Sequence, residues 1–154
     1  MPAEAGSKNE GRRRWLTAYA PLVLWLVVVL GLGTGLGSSD ETSRIIRPLL
    51  KWLLPHSPAS TITAIHSVIR KFAHFAEYAF FAALAWNAFK RLPYPFLLAF
   101  LLTAAVAFID EFGQSLNVSR TSSYCDVLID CTGGLAACLS IWLITRYRTD
   151  RPGR

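Results

Sequence analysis

Four apolar runs, each about as long as a helix that crosses a lipid bilayer, constrain this chain more than any other feature. The runs cover residues 15–36, 71–89, 95–112 and 125–147. A helix rises about 1.5 Å per residue and the hydrocarbon core of a bilayer is about 30 Å thick, so segments of this length are typical of membrane spans. The sequence therefore predicts an all-α membrane protein built as a four-helix transmembrane bundle.

Composition supports a membrane protein of one domain. The chain has 154 residues, of which 53% are hydrophobic, a high share for a soluble globular protein. Its formal charge is +6, but the basic residues flank apolar runs and form no nucleic-acid-binding motif, so we predict no nucleic-acid partner. We expect a basic cytoplasmic tail at 1–14, the membrane domain at 15–147 and a second basic tail at 148–154.

The segments around the first span carry two further predictions. The first ten residues are polar and are expected to be disordered. The run at 15–36 competes with a signal peptide, but it is longer than a usual apolar signal region and lacks a clear cleavage site, so we expect an uncleaved helix. Between the first two spans, apolar residues from Ile45 to Leu54 recur at helical spacing, which predicts a short external amphipathic helix that ends before Pro55 and Pro58.

The basic residues orient the predicted bundle. Arginines crowd both terminal tails, and Lys90 and Arg91 follow the second span. The rule that cytoplasmic loops are rich in Lys and Arg then predicts a multi-pass plasma-membrane protein with both termini in the cytoplasm. In that orientation the start of the second span, the end of the third and the start of the fourth lie together at the outer surface.

The second span begins with polar residues that share helical faces. Lys71, His74 and Tyr78 are separated by three and then four residues, and Arg70, His74 and Glu77 lie on an overlapping face. Snorkelling to the head groups is an alternative role for both Arg70 and Lys71. Glu77 lies deeper, where a carboxylate needs a partner, so we expect it to pair with His74, Lys71 or Arg120.

A second polar stretch joins the third and fourth spans. Asp110 and Glu111 lie one turn before Gln114, and Asp126 lies one turn before Asp130. Asp110 and Asp126 have an alternative role as groups that cap helix ends, whereas Asp130 lies too deep for capping. Small residues follow on the fourth span and allow a neighbouring helix to approach closely; they are Gly133, Gly134 and Ala137.

Cysteine spacing indicates neither a disulfide nor a zinc site. Cys125, Cys131 and Cys138 fall on one predicted helix, where neighbours are roughly 9 Å or more apart, beyond disulfide reach. The spacing matches no zinc pattern. We predict no metal site and no cofactor.

These two stretches resemble the motifs of the VanZ-like family of bacterial membrane proteins. The first motif is K-x-x-H-x-x-E-Y at 71–78, and the second is D-E-x-x-Q-x(5)-R-x(5)-D from Asp110 to Asp126, followed by a polar residue and a glycine. The chain departs from the family pattern at three positions, which are Val118, Asp130 and Ala137. The resemblance implies a role in the bacterial cell envelope, since the founding member is an accessory protein associated with resistance to the glycopeptide teicoplanin.

Two functional hypotheses follow from these residues. In the first, an outward-facing polar pocket binds a cell-wall precursor, a lipid head group or a glycopeptide antibiotic, as an accessory or resistance-type protein in the lipid bilayer. Lys71 and Arg120 would supply charge-assisted hydrogen bonds. The predicted binding residues are Lys71, His74, Tyr78, Asp110, Glu111, Gln114, Arg120, Asp126 and Asp130.

In the second hypothesis the chain is an intramembrane hydrolase or transferase acting on a lipid-linked glycan or phosphate. A carboxylate or His74 would serve as general acid or base, and Arg120 would stabilise developing negative charge. The candidate catalytic residues are His74, Glu77, Glu111 and Asp126. The sequence leaves open whether the protein is an enzyme. A transporter fits less well, because the polar groups gather at one face instead of crossing the bilayer.

Overall fold

The computed structural model describes residues 2–32, 39–115 and 124–149. These ranges contain five helices and no strand, so the all-α prediction is confirmed. The helices, numbered in chain order, are α1 (Pro2–Gly31), α2 (Ser39–Leu53), α3 (Ala59–Phe89), α4 (Pro95–Ser115) and α5 (Tyr124–Thr149).

The N-terminal prediction of disorder is wrong, because α1 begins at Pro2. Proline suits the first turn of a helix, where its missing N–H has no partner to lose, and Ala3, Glu4 and Ala5 are strong helix formers. The helix ends at Gly31, within the predicted first span. Residues 33–36 of that span lie outside the described residues.

The second predicted span is the C-terminal part of a longer helix. α3 begins at Ala59 instead of Lys71, directly after Pro58, whose backbone is extended. Ile62 and His66 are buried one turn apart in the added segment, and α2 packs against this helix. The extra turns therefore form because they have an apolar face to bury, a feature that the polar residues between them conceal in the sequence.

A helix, α2, occupies the segment between the first two predicted spans. It ends at Leu53, before Pro55, as expected, and it contains Pro48 in its interior. Leu50 is buried, whereas Ile45 and Trp52 are largely exposed. An apolar face that only partly packs on the protein is typical of a helix at a membrane interface.

The remaining contacts define an alternating arrangement of α1, α3, α4 and α5. The indole nitrogen of Trp25 donates to the carbonyl oxygen of Glu77 at 3.3 Å. Trp15 and Tyr19, earlier on α1, lie beside the end of α3, so α1 runs antiparallel to α3. A tight turn joins α3 to α4, with Tyr94 at a φ of 57°. Trp86 stacks on Phe96 across this turn at 6.0 Å between ring centroids. α4 is antiparallel to α5, which therefore runs parallel to α3.

Polar and apolar side chains are distributed in the opposite sense to a water-soluble protein. Large apolar side chains point outward on the long helices, among them Leu24, Phe108 and Leu128, while Asp110 and Asp130 are buried. An extensive exposed apolar surface indicates contact with a membrane or a partner. Two helical segments are long and apolar enough to cross a bilayer, Pro95–Ser115 and Cys125–Thr149, and a shorter apolar helix covers Trp15–Gly31.

Candidate functional site

The site begins with a close approach of α3 and α5 at Gly133. A Cβ atom placed on Gly133 would overlap the carbonyl oxygen of Phe75 and lie 3.0 Å from its carbonyl carbon. A Cβ on Gly134 would lie 2.8 Å from Cγ2 of Thr103 on α4 and 3.7 Å from Cβ of Ala82 on α3. Gly133 therefore lets the backbones of α3 and α5 approach closely, and Gly134 leaves room for the Thr103 side chain of α4, as small residues do in packed membrane helices.

This close approach aligns two contacts between α3 and α5, each joining a nitrogen-bearing side chain to a carboxylate. Nδ1 of His74 lies 3.5 Å from Oδ1 of Asp130, and one turn away Nη2 of Arg70 lies 3.9 Å from Oδ2 of Asp126. Both distances exceed those of well-formed hydrogen bonds, so the groups of each pair face one another without close hydrogen bonding. The pairs are stacked because each helix advances by four residues between them.

The two pairs differ in their access to the surroundings. The Asp130 side chain is 2% exposed, whereas those of His74, Asp126 and Arg70 are 18%, 19% and 25% exposed. Asp130 therefore forms the floor of the site, and the other three side chains form a partly exposed rim. The rim consists of Arg70, His74 and Asp126.

A second buried network links α3 to α4. The hydroxyl of Tyr78 donates to Oδ2 of Asp110 at 3.3 Å, and Nε2 of Gln114 donates to the same oxygen at 2.9 Å. All three side chains are buried, as is Glu111. Buried polar groups that satisfy one another in this way fix the orientation of the helices that carry them.

Glu77 lies beside α1, a neighbour that the sequence does not predict. It lines a groove of about 440 Å³ between α1 and α3, together with Trp25 and Phe80. Its Oε1 atom is buried and has no hydrogen-bond partner among the described residues. Of the partners expected for Glu77, His74 and Lys71 lie in the described part of the chain, and neither is hydrogen-bonded to this oxygen. His74 contacts Asp130 instead.

The structure brings together most of the residues predicted from the sequence. The residues that gather at the interface of α3, α4 and α5 are His74, Tyr78, Asp110, Gln114, Asp126 and Asp130. Lys71 lies on α3 but its side chain is exposed, and Arg120 lies outside the described residues.

Two residues beside the site were absent from the predicted set. Arg70 shares a helical face with His74 in the sequence, with snorkelling to the head groups as the alternative, and in the structure it contacts Asp126. His66, four residues earlier again, is buried and precedes the apolar segment at 71–89. Burial lowers the pKa of His66, and the charges of Arg47 and Arg70 lower it further, so we expect this imidazole to be neutral at pH 7.

Polar groups of three chemical kinds lie at the rim. In the described ranges, no group of three or more His, Cys, Asp or Glu side chains is placed to hold a metal ion. The three cysteines lie on α5 and form no disulfide with one another. The rim combines a guanidinium, an imidazole and a carboxylate, which between them offer hydrogen-bond donors and acceptors.

Comparison with known proteins gives one match. The sequence profile of the VanZ/LLP1 family matches residues 16–145, a range that includes both polar stretches and the helices that carry them. No curated protein and no solved structure matches the chain.

Proposed function

Because the chain belongs to the VanZ/LLP1 family, we propose that it is a multi-pass protein of the bacterial plasma membrane whose polar site binds an envelope molecule. The ligand we propose is the head group of a lipid-linked cell-wall precursor or a glycopeptide antibiotic. Both carry hydroxyl and amide groups as well as charges, so they suit a rim that holds both a cation and an anion.

The proposed topology has four spans and places both termini in the cytoplasm. The outward-facing apolar surfaces of α1, α4 and α5 support membrane insertion, and the arginine-rich ends of α1 and α5 support the orientation. In this topology the rim opens toward the outer surface. The amphipathic α2 lies at the same surface, with Trp52 and Ile45 available to the lipid interface.

The observation that carries the proposal is the partial exposure of the rim above a buried floor. Arg70, His74 and Asp126 remain accessible, whereas Asp130 and the network around Asp110 are closed off. A ligand can therefore reach charged groups whose positions are fixed from below, which reduces the entropy lost on binding. Lys71, exposed on the same helix, and Arg120 are further proposed ligand contacts.

Binding of defined probes to rim variants tests the proposal. The protein in lipid nanodiscs is titrated with a polyprenyl-linked cell-wall precursor and, separately, with a glycopeptide antibiotic. For the probe that binds, we expect the substitutions Arg70→Gln and Asp126→Asn each to weaken affinity at least about tenfold, as expected for loss of a charge-assisted hydrogen bond of about 1.5–3 kcal/mol. The measurement is the Kd from native mass spectrometry.

The control is Lys51→Gln, which removes an exposed charge from α2 without touching the rim. We expect this variant to keep the affinity of the unmodified protein. Equal weakening in the control and the rim variants would contradict a site at the rim. Failure of both probes to bind the unmodified protein would reject the proposed ligand class.

The contact between His74 and Asp130 favours one second candidate, a hydrolase or transferase for the same lipid-linked precursor. A carboxylate beside Nδ1 can hold an imidazole in the orientation that a general base requires. The two functions differ in the effect of His74→Gln. In an enzyme this substitution abolishes product formation while the precursor still binds, whereas a binding protein releases no product even before substitution.

A further inference from the structure

A second cavity lies at the opposite end of the helices from the rim. It has a volume of about 580 Å³ and is enclosed by the start of the apolar part of α1, the last turn of α3 and the residues that follow it. Its lining combines two cations with interfacial aromatic and apolar side chains: Trp15, Tyr19, Asn87, Lys90, Arg91 and Leu92. Neither the family nor the proposed function assigns a role to this cavity.

The two cations in this cavity are not neutralised by the described protein. Nζ of Lys90 donates to Oδ1 of Asn87 at 2.8 Å, a neutral partner that orients the ammonium and leaves its other two hydrogens available. Among the described residues, no ion pair involves Lys90 or Arg91, and both side chains are exposed. The C-terminal carbonyls of α3 carry partial negative charge, so among the described residues that line the cavity the cations that attract an anion are Lys90 and Arg91.

The rest of the lining specifies the ligand further. Trp15 stacks on Tyr19 at 5.2 Å between ring centroids, and Trp and Tyr concentrate where head groups meet hydrocarbon. Ala18, Ala88 and Leu92 supply an apolar wall beside the cations. A free phosphate would leave this wall bare, whereas a phospholipid covers it with acyl chain and brings a phosphate to the cations.

We propose that this cavity binds an anionic phospholipid, with its phosphate between Lys90 and Arg91 and an acyl chain against Ala88 and Leu92. The site is separate from the rim, so it does not depend on the envelope ligand proposed above. A bound lipid here holds α1 against the end of α3. The hydrogen bond and the ring contact described between these two helices lie farther away, at Trp25.

The test compares phosphatidylglycerol with phosphatidylcholine added to the full chain in detergent. We expect phosphatidylglycerol to raise the Tm several degrees more than phosphatidylcholine, and the double variant Lys90→Gln with Arg91→Gln to lose at least half of that difference. The matched control, Arg146→Gln with Arg148→Gln, removes the same charge from the end of α5, outside the cavity, and should keep it.

Three results overturn the proposal: equal effects of the two lipids, an equal loss in the control variant, or full reproduction of the effect by inorganic phosphate alone.

If the double variant does not fold, photolabelling of the unmodified protein tests the site instead. Phosphatidylglycerol carrying a photoreactive group near its phosphate should label peptides that contain residues 15–19 or 87–92. Labelling confined to other peptides would place the lipid elsewhere and reject the site.

Discussion

Replacing Gly133 with alanine is expected to lower the free energy of unfolding by about 3 kcal/mol, at the upper end of the cost of overpacking a core. The added methyl group would overlap the carbonyl oxygen of Phe75, which is backbone and has no rotamer that moves it away. α3 and α5 must separate to admit it. Because Asp130 lies one turn before Gly133, the separation also withdraws its carboxylate from His74. Unfolding by SDS titration in detergent micelles measures the stability change.

The same substitution at Gly113 provides a matched control. Gly113 lies within α4, and a Cβ placed there has nothing within 4 Å. Alanine in a helix interior is favoured over glycine by roughly 0.5–1 kcal/mol, so Gly113→Ala should leave stability unchanged or raise it. Equal effects of the two substitutions would contradict the close packing at Gly133.

Replacing Asp110 with leucine is expected to cost about 2 kcal/mol more than replacing it with asparagine. Leucine offers no acceptor, so the Tyr78 hydroxyl and the Gln114 amide both lose their partner in a buried setting, and each unsatisfied group costs about 1–3 kcal/mol. Asparagine keeps an oxygen at the same place and can still accept. Both substitutions remove the carboxylate, so its burial cost cancels from the comparison.

The substitution Tyr78→Phe tests whether the difference between leucine and asparagine at position 110 arises from the hydrogen bonds that Asp110 accepts. In the Tyr78→Phe background only the Gln114 amide is left without a partner, so the difference between leucine and asparagine at position 110 should shrink by about 1 kcal/mol. An unchanged difference would show that Asp110 does not bind Tyr78. The same SDS titration supplies all of these values.

Much of this molecule follows from periodicity and charge in the sequence. The apolar runs at 95–112 and 125–147 correspond to α4 and α5, because long apolar runs have few ways to hide their backbone polar groups other than a helix. The four-residue spacing between Asp126 and Asp130, and between Asp110 and Gln114, predicts that the members of each pair share a helical face. The gathering of His74, Asp110 and Asp126 at one level follows from the alternation of the helices.

The parts that the sequence did not reveal depend on contacts between distant residues. The early start of α3 comes from packing against α2, and nothing local marks Ile62 and His66 as buried. The groove beside Glu77 depends on Trp25, which is 52 residues away along the chain. Whether Arg70 reaches lipid head groups or Asp126 depends on the rotation of α3 relative to α5, which is set by the close approach at Gly133.

The convergence of α3 and α5 at the polar site is tested most directly by cross-linking two introduced cysteines. Native cysteines 125, 131 and 138 are replaced by alanine, His74 and Asp130 are changed to cysteine, and membranes are treated with a short bifunctional thiol reagent. After protease cleavage in the chain between α3 and α5, we predict that the two fragments stay joined. A pair at His74 and Ile144 should remain separable, because Ile144 lies roughly 21 Å farther along α5 than Asp130 does. Fragments that separate for the 74–130 pair, or join equally for both pairs, would contradict the site described here.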